Sequence, residues 1–453
     1  MATGPAVDSA TPPPDPFTIV RNRGYLVVLV VSALLGVPIS AAAFGFLALV
    51  SEVQSLVYND LPKAVGFSST PDWWAVPMLA VAGVVVALTV RHLPGHGGHE
   101  PAEGLKTGDT PSFAIVPGVA LAAVASLCLG VVLGPEAPLI AIGAGLAVGA
   151  LRLLKRDAPT SAVAVVGAAG SFAAISELLG SPLLGAFLLM EASGLSGPML
   201  GVVLVPGLLA AGVGSLIFTG LGSWTGLGTY SLTLHQVPQA DRPSLSEFAW
   251  AILVGVAAAF LGEAVRRTAL RLKSHVERHR LPLTVLAGVL VGVTALIWTV
   301  LSDKPLSGVL YSGESTLGPL LADQAAYSAG TLVLLVVCKS LAYCLSLSAF
   351  RGGPVFPSLF IGGAGGLAVS HLPGVDTTTG FAIGVGAMSV AMLRLPMTSV
   401  LLATLLLGAQ GLTVMPLVIV SVVISYVLTL RITRPPSADP PAQPGTGAPP
   451  RTG

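Results

Sequence analysis

Acidic side chains inside apolar runs are costly and rare, so each one that occurs is a functional candidate. Three qualify in this chain: Glu136, Glu177 and Glu191. Glu136 stands in CLGVVLGPEAPLIAIGAG, where Gly134-Pro135 stops one apolar helix and a second begins, with Ala137 and Pro138 directly after the acid. This order places the carboxylate in the first turn of the second helix, where proline is favoured. A helix start leaves backbone N–H groups unpaired and carries partial positive charge, so at mid-membrane it is a ready anion site. A glutamate beside it acts as a tethered competing anion. Ionised, it fills the pocket; protonated, it swings away and admits a free anion. One residue is then both gate and proton carrier. The plainer reading is that Glu136 only stabilises its own helix start.

A second break lies in LSAFRGGPVFPSLFIGGAGG, where Gly352, Gly353, Pro354, Val355, Phe356 and Pro357 separate an apolar helix from a short one. Taken alone it reads as a Gly/Pro kink. The third break, PGHGGHEPAEGL, places Gly95, Gly97 and Gly98 ahead of a short amphipathic piece. Here His96, His99 and Glu103 raise a metal reading, weakened by a Gly-rich turn with no helix to fix their spacing. No metal or cofactor is expected. Glu191 ends the run SPLLGAFLLMEASG, as a proton relay or as a cap at the cytoplasmic mouth, with the cap favoured. Glu177, in AAISELLGSP, reads as part of a turn.

The elements that must position these groups are apolar helices. The 453 residues hold 22 Lys+Arg and 21 Asp+Glu, 9% charged, against roughly 25% in a soluble domain. Hydrophobic residues make up 53% and mean hydropathy is +0.85, which excludes a soluble enzyme with a charged shell. The 54 Gly and 36 Pro lie inside apolar stretches, as in a polytopic membrane protein with interrupted helices. Net charge +1 leaves no nucleic-acid footprint. Cys128, Cys338 and Cys344 sit in apolar segments and read as buried free thiols.

A full span needs ~20 apolar residues. Several stretches, such as Leu139–Leu151, Phe248–Leu261 and Leu359–Val369, are shorter, while Met397–Leu430 reads as one long run. Short interrupted helices meeting at mid-membrane point to a transporter site. Basic residues at Arg21/Arg23, Arg152/Lys155/Arg156, Arg266 to Arg280 and Arg431/Arg434 mark cytoplasmic edges. The loops Val57–Pro71, Gly222–Leu245 and Ser302–Ser328 should face outward. Residues 1–23 and 434–453 read as disordered Pro-rich arms, with both termini cytoplasmic and the chain in the cell membrane.

Together these segments resemble the CLC family of chloride channels and chloride/proton antiporters, over about Arg23–Thr433. LGPEAPLIAIG is similar to the signature G-(K/R)-E-G-P, with Glu136 at the gating glutamate. SPLLGAFLLMEASG is similar to N-A-P-L-A-G-x-L-F-x-x-E-E, and RGGPVFPSLFIGG to G-G-x-F-x-P. PGHGGHEPAEGL occupies the place of G-S-G-I-P-E-x-x-G. The resemblance implies an all-α inverted-repeat fold of short, broken and tilted helices, with halves at about 24–220 and 246–432, although no residue-level repeat is evident. It also implies a homodimer with one chloride pathway per subunit. Glu136 would gate that path, and Gly97, Gly98, Gly134, Pro135, Ala137, Pro138, Gly353, Pro354, Val355, Phe356 and Pro357 would line it.

The departures shape the expected mode. Gly97 or its neighbours replace the family's central serine, Pro135 and Ala137 flank the gate, and Val355 holds the aromatic position with Phe356 one place later. The pore tyrosine position falls at Ser437. Glu191 matches the first acid of the E-E pair, as a candidate on a proton path, while Ala192 takes the internal proton-transfer position. Channel-like or uniporter-like flux is therefore favoured. The alternatives are a chloride/proton antiporter using a non-standard internal proton route, or an exporter of fluoride, another halide or nitrate.

Overall fold

A computed structural model describes residues 21–105, 112–194, 197–232, 234 and 236–433. The terminal arms, apart from the turn at 21–22 and Arg23, lie outside the described residues, as does Ser437. Among the described residues there are 15 helices and no strand. In chain order we number them α1 (Arg23–Ser55), α2 (Ala75–His92), α3 (Val116–Cys128), α4 (Glu136–Leu154) and α5 (Thr160–Ala174). There follow α6 (Pro182–Ser193), α7 (Pro198–Thr225), α8 (Leu245–Arg278), α9 (Arg280–Ser302) and α10 (Glu314–Ala322). The last are α11 (Ala329–Ala349), α12 (Val355–Val369), α13 (Thr377–Leu393), α14 (Pro396–Leu406) and α15 (Ala409–Ile432). Eight described helical segments are long and apolar enough to cross a membrane, while α3, α5, α6, α12, α13 and α14 are apolar but shorter. The chain is an all-α, multi-pass membrane protein.

The helix starts are set by side chains. Asn22 accepts from Gly24 N–H at α1, Asp376 from Thr379 N–H at α13, and Ser244 and Glu247 form a reciprocal capping box at α8. Such caps satisfy donors that an apolar surrounding leaves without water.

The repeat that is not evident along the sequence is plain in the hydrogen bonds. The two breaks before α4 and α12 both read Gly-Pro-x-x-Pro, and they pair antiparallel: Gly134 N–H donates to Gly353 O (2.8 Å) and Gly353 N–H to Gly134 O (2.6 Å). A serine near the end of the preceding helix in each half accepts from the backbone of the other half's break. Ser346 Oγ on α11 takes Val132 N–H at 3.1 Å, and Ser126 Oγ on α3 takes Arg351 N–H at 3.4 Å. Buried backbone donors must find acceptors, and each half supplies the other's. A stretch of five matching positions with three fixed types is too short to stand out in a Gly/Pro-rich chain, which is why the repeat escaped the sequence reading.

Several features differ from expectation. The run Met397–Leu430 is two helices, broken at Leu407-Gly408, where Gly408 adopts φ +56°, a conformation open to glycine. The basic run from Arg266 does not end α8. Arg266 and Arg267 pair with Glu263 one turn back, so the charges ride on the helix to Arg278. Finally, the presumed outer loop Ser302–Ser328 contains a helix, α10.

Candidate functional site

The breaks bring the starts of α4 and α12 face to face. Glu136, the first residue of α4, is fully buried, and its side chain crosses to the start of α12. There Oε1 accepts from Val355 N–H, and the carboxylate also hydrogen-bonds the backbone of Phe356 and its own amide. The second oxygen, Oε2, is buried without a partner. A negative group has thus settled on the unpaired amides of a helix start, where negative charge is favoured. The seat exists because two residues lack a side chain. A Cβ on Gly353 would lie 2.1 Å from Glu136 Cδ, and one on Gly134 would lie 2.0 Å from Oε2.

The chain neighbours of Glu136 line two different cavities. The wider, about 800 Å³, reaches Leu133 and Pro135 and is lined by both apolar and polar residues, the polar ones including Gln54, Tyr230 and Glu314. The narrower, about 230 Å³, reaches Ala137, Gly98, Gly352 and Pro354. Of the residues proposed to line a path, Pro135 therefore faces one cavity and Gly98, Ala137 and Pro354 face the other. Val355 and Phe356 contribute backbone to the carboxylate, and Gly134 and Gly353 make its seat. Pro138 and Pro357 are buried within the first turns of α4 and α12. Gly97 lines neither cavity; it is buried, and a Cβ there would press on Ala122 and Val90. Without a Cβ, it lets the third break pack closely against α2 and α3.

Arg351, mostly buried, ties that third break to the second. Its Nε donates to His96 O at 3.2 Å and its Nη2 to Glu100 at 3.1 Å. Burial works against the charge of Glu100, but the hydrogen bond from Lys273 and the nearby Arg351 hold its carboxyl below the ordinary range. This contribution is present above the ordinary carboxylate pKa and is lost as pH falls through the lowered one. The tie also engages one acid of the metal reading, Glu103, which pairs with Lys273, and no group of three or more metal-ligating residues forms among the described residues.

Glu191 is a cap. It accepts from Met397 N–H (3.0 Å), Thr398 N–H (2.8 Å) and Thr398 Oγ1 (2.6 Å) at the start of α14. Glu191→Ala is expected to lower thermal stability in detergent by about 1–2 kcal/mol, the scale of a lost cap, without altering any proton movement. A change in proton movement at unchanged stability would reverse this assignment. Glu177 accepts from Ser215 Oγ, consistent with a structural turn.

Two charged residues escaped the sequence reading. Lys339 lies fully buried on α11, its Nζ donating to the carbonyls of Gly308, Leu310 and Tyr311 and standing 4.3 Å from the Phe360 ring centre. It sits alone in an apolar run, so the cost of burying charge was the signal, but only acids had been sought. Glu314 was missed because YSGEST is a polar stretch, and only the fold turns it inward.

The family model for the voltage-gated chloride channel matches residues 78–430. The chain belongs to the CLC family. Its CLC segment also resembles the ion-transport protein YfeO of Escherichia coli (strain 55989 / EAEC), 30% identical over 362 residues, covering 78% of this chain and 82% of that protein. YfeO of Salmonella paratyphi A (strain ATCC 9150 / SARB42) is 28% identical over 368 residues, covering 78% and 83%. Among solved CLC folds, a slow cyanobacterial Cl⁻/H⁺ antiporter superposes with TM-score 0.69 at 19% identity, over 89% of this chain and 94% of that one. A CLC-type fluoride/proton antiporter gives 0.65 at 17%, over 89% and 95%. At these identities the superpositions establish the fold. The family establishes anion transport as the activity class.

Proposed function

We propose that this CLC protein carries chloride passively through the two cavities and that the Glu136 side chain is the gate between them. The reading rests on one observation: the buried carboxylate occupies the amides of Val355 and Phe356, and its chain neighbours line two different cavities. A free anion has the same use for those donors, so carboxylate and chloride compete for one seat. Protonation removes the charge that holds the carboxylate there and frees the seat.

Uncoupled flux is favoured because Glu191 is engaged as a cap and the next residue is Ala192. The alternatives remain a proton-coupled exchanger with another internal route and a carrier of fluoride or nitrate. The protein is a transporter and not an enzyme. In this proposal it works in the cell membrane as a homodimer, with both termini and the basic ends of α8 and α15 on the cytoplasmic side, a reading supported by the bond from Arg267 to the Ile432 carbonyl that ties these two basic segments together. The wide cavity then opens outward. Liposome efflux with chloride, fluoride and nitrate in competition tests the substrate. Chloride should move fastest, because the seat is made of backbone amides with no group selective for a smaller, more tightly hydrated anion. Fluoride outrunning chloride would overturn that choice.

A further inference from the structure

The wide cavity is an unusual entrance for an anion. Besides Glu314 its lining includes Asp323, and among the described residues none that line it is Lys, Arg or His. An acid in this place repels the transported ion, so a passive vestibule gains nothing from it. Glu314 opens α10, and its backbone N–H is bonded to Ser312 Oγ. The charge of Glu136 opposes the charge of Glu314, and the Glu136 oxygen left without a partner is buried beside Gly134. Two carboxylates that feel one another cannot both ionise freely.

We propose that Glu314 is a second proton-accepting residue of the anion path, exchanging protons with the solution that fills the wide cavity and setting by its charge how readily Glu136 is displaced from its seat. The proposal deepens the gating reading given above and rests on it. When Glu314 is ionised, its charge favours a neutral Glu136 and lowers the local anion concentration. When it is neutral, anions enter the cavity freely and Glu136 holds its charge to lower pH.

The surrounding groups leave this role to Glu314. Tyr311 and Tyr230 line the cavity as neutral phenols, and Tyr230 has Glu52 and Ser51 as its neighbours. Asp323 follows the last turn of α10. Lys339 on α11 is held by three carbonyls of the preceding loop, and α12, which packs beside α10, carries no titratable side chain. The loop clamped by Lys339 leads directly into Glu314 and fixes where the carboxylate enters the cavity. A merely structural role, an acid in the first turn of a helix, predicts a loss of stability on substitution and no change in pH response.

The test compares chloride efflux with the same pH on both sides of the membrane for the wild type, Glu314→Gln, Glu314→Asp, Glu136→Gln and the double variant Glu136→Gln/Glu314→Gln. The expected result is that Glu314→Gln moves the acid rise of flux to lower pH by on the order of one unit, as removal of a like charge requires, while Glu314→Asp stays near the wild type. In the Glu136→Gln background a weak residual rise with acid should remain and vanish in the double variant. A Glu314→Gln profile superimposable on the wild type overturns the proposal, as does a shift to higher pH. If instead Glu136→Gln keeps the full wild-type response, the gating reading fails separately. A readout independent of flux is the infrared band of protonated carboxyl groups during a pH titration. The wild type should lose two such bands in sequence, and Glu314→Gln should delete one and displace the other. An unchanged band pattern in Glu314→Gln overturns the proposal even if no anion flux is measured.

Discussion

Glu136→Gln and Glu136→Ala are both expected to conduct chloride at neutral pH at the rate that the wild type reaches only in acid, with no remaining steep pH dependence. The carboxylate is held by hydrogen bonds from backbone donors, and a hydrogen bond to a charged group contributes about 1.5–3 kcal/mol. Losing one of them shifts the closed population about tenfold or more, at 1.4 kcal/mol per factor of ten. The sign follows from charge: protons neutralise Glu136, the amides lose their anion, and flux rises as pH falls. The glutamine keeps the shape of the side chain and removes only the charge, so its likeness to alanine is the informative comparison. Efflux recorded from pH 4 to pH 8 for all three proteins checks this. A wild-type pH response in both variants would remove Glu136 from the gate.

The second large effect comes from a residue that carries no chemistry. Gly353→Ala puts a methyl group where Glu136 Cδ and Oε1 now sit, at 2.1 and 2.2 Å. Its three nearest neighbours all belong to that one side chain, so the substitution meets nothing rigid, and Gly353 has no left-handed backbone that an alanine would strain. The result should be a protein with Glu136 intact yet behaving as Glu136→Ala: flux without the steep pH dependence, raised about tenfold or more at neutral pH by the same arithmetic. Placed in the Glu136→Ala background, Gly353→Ala should have no further effect, because the methyl then fills an empty seat. An additive effect in the double variant would mean that the glycine acts through something other than the carboxylate.

The fold class, the three breaks and Glu136 were legible in the sequence because each leaves a local mark. Apolar runs mark helices, Gly-Pro marks the breaks, and an acid in an apolar run is conspicuous. The antiparallel pairing of Gly134 with Gly353 was not legible, since it depends on two segments far apart in the chain. Nor was the assignment of Gly97 to packing, or of Glu191 to the start of α14, because both are decided by the helix that lies opposite. Glu314 shows the limit most clearly. In sequence it belongs to a polar connection, and only the turn of that connection over the wide cavity makes it a neighbour of Glu136.

The central claim is passive chloride flux gated by a carboxylate that competes for backbone amides. Its most direct test is efflux from liposomes holding the purified wild-type protein, followed with a chloride electrode and a pH electrode together. Chloride leaving faster as pH falls, with no proton movement in fixed ratio to it, is the predicted result. Chloride-driven proton uptake against a gradient would contradict the passive mechanism, and flux indifferent to pH would contradict the gate.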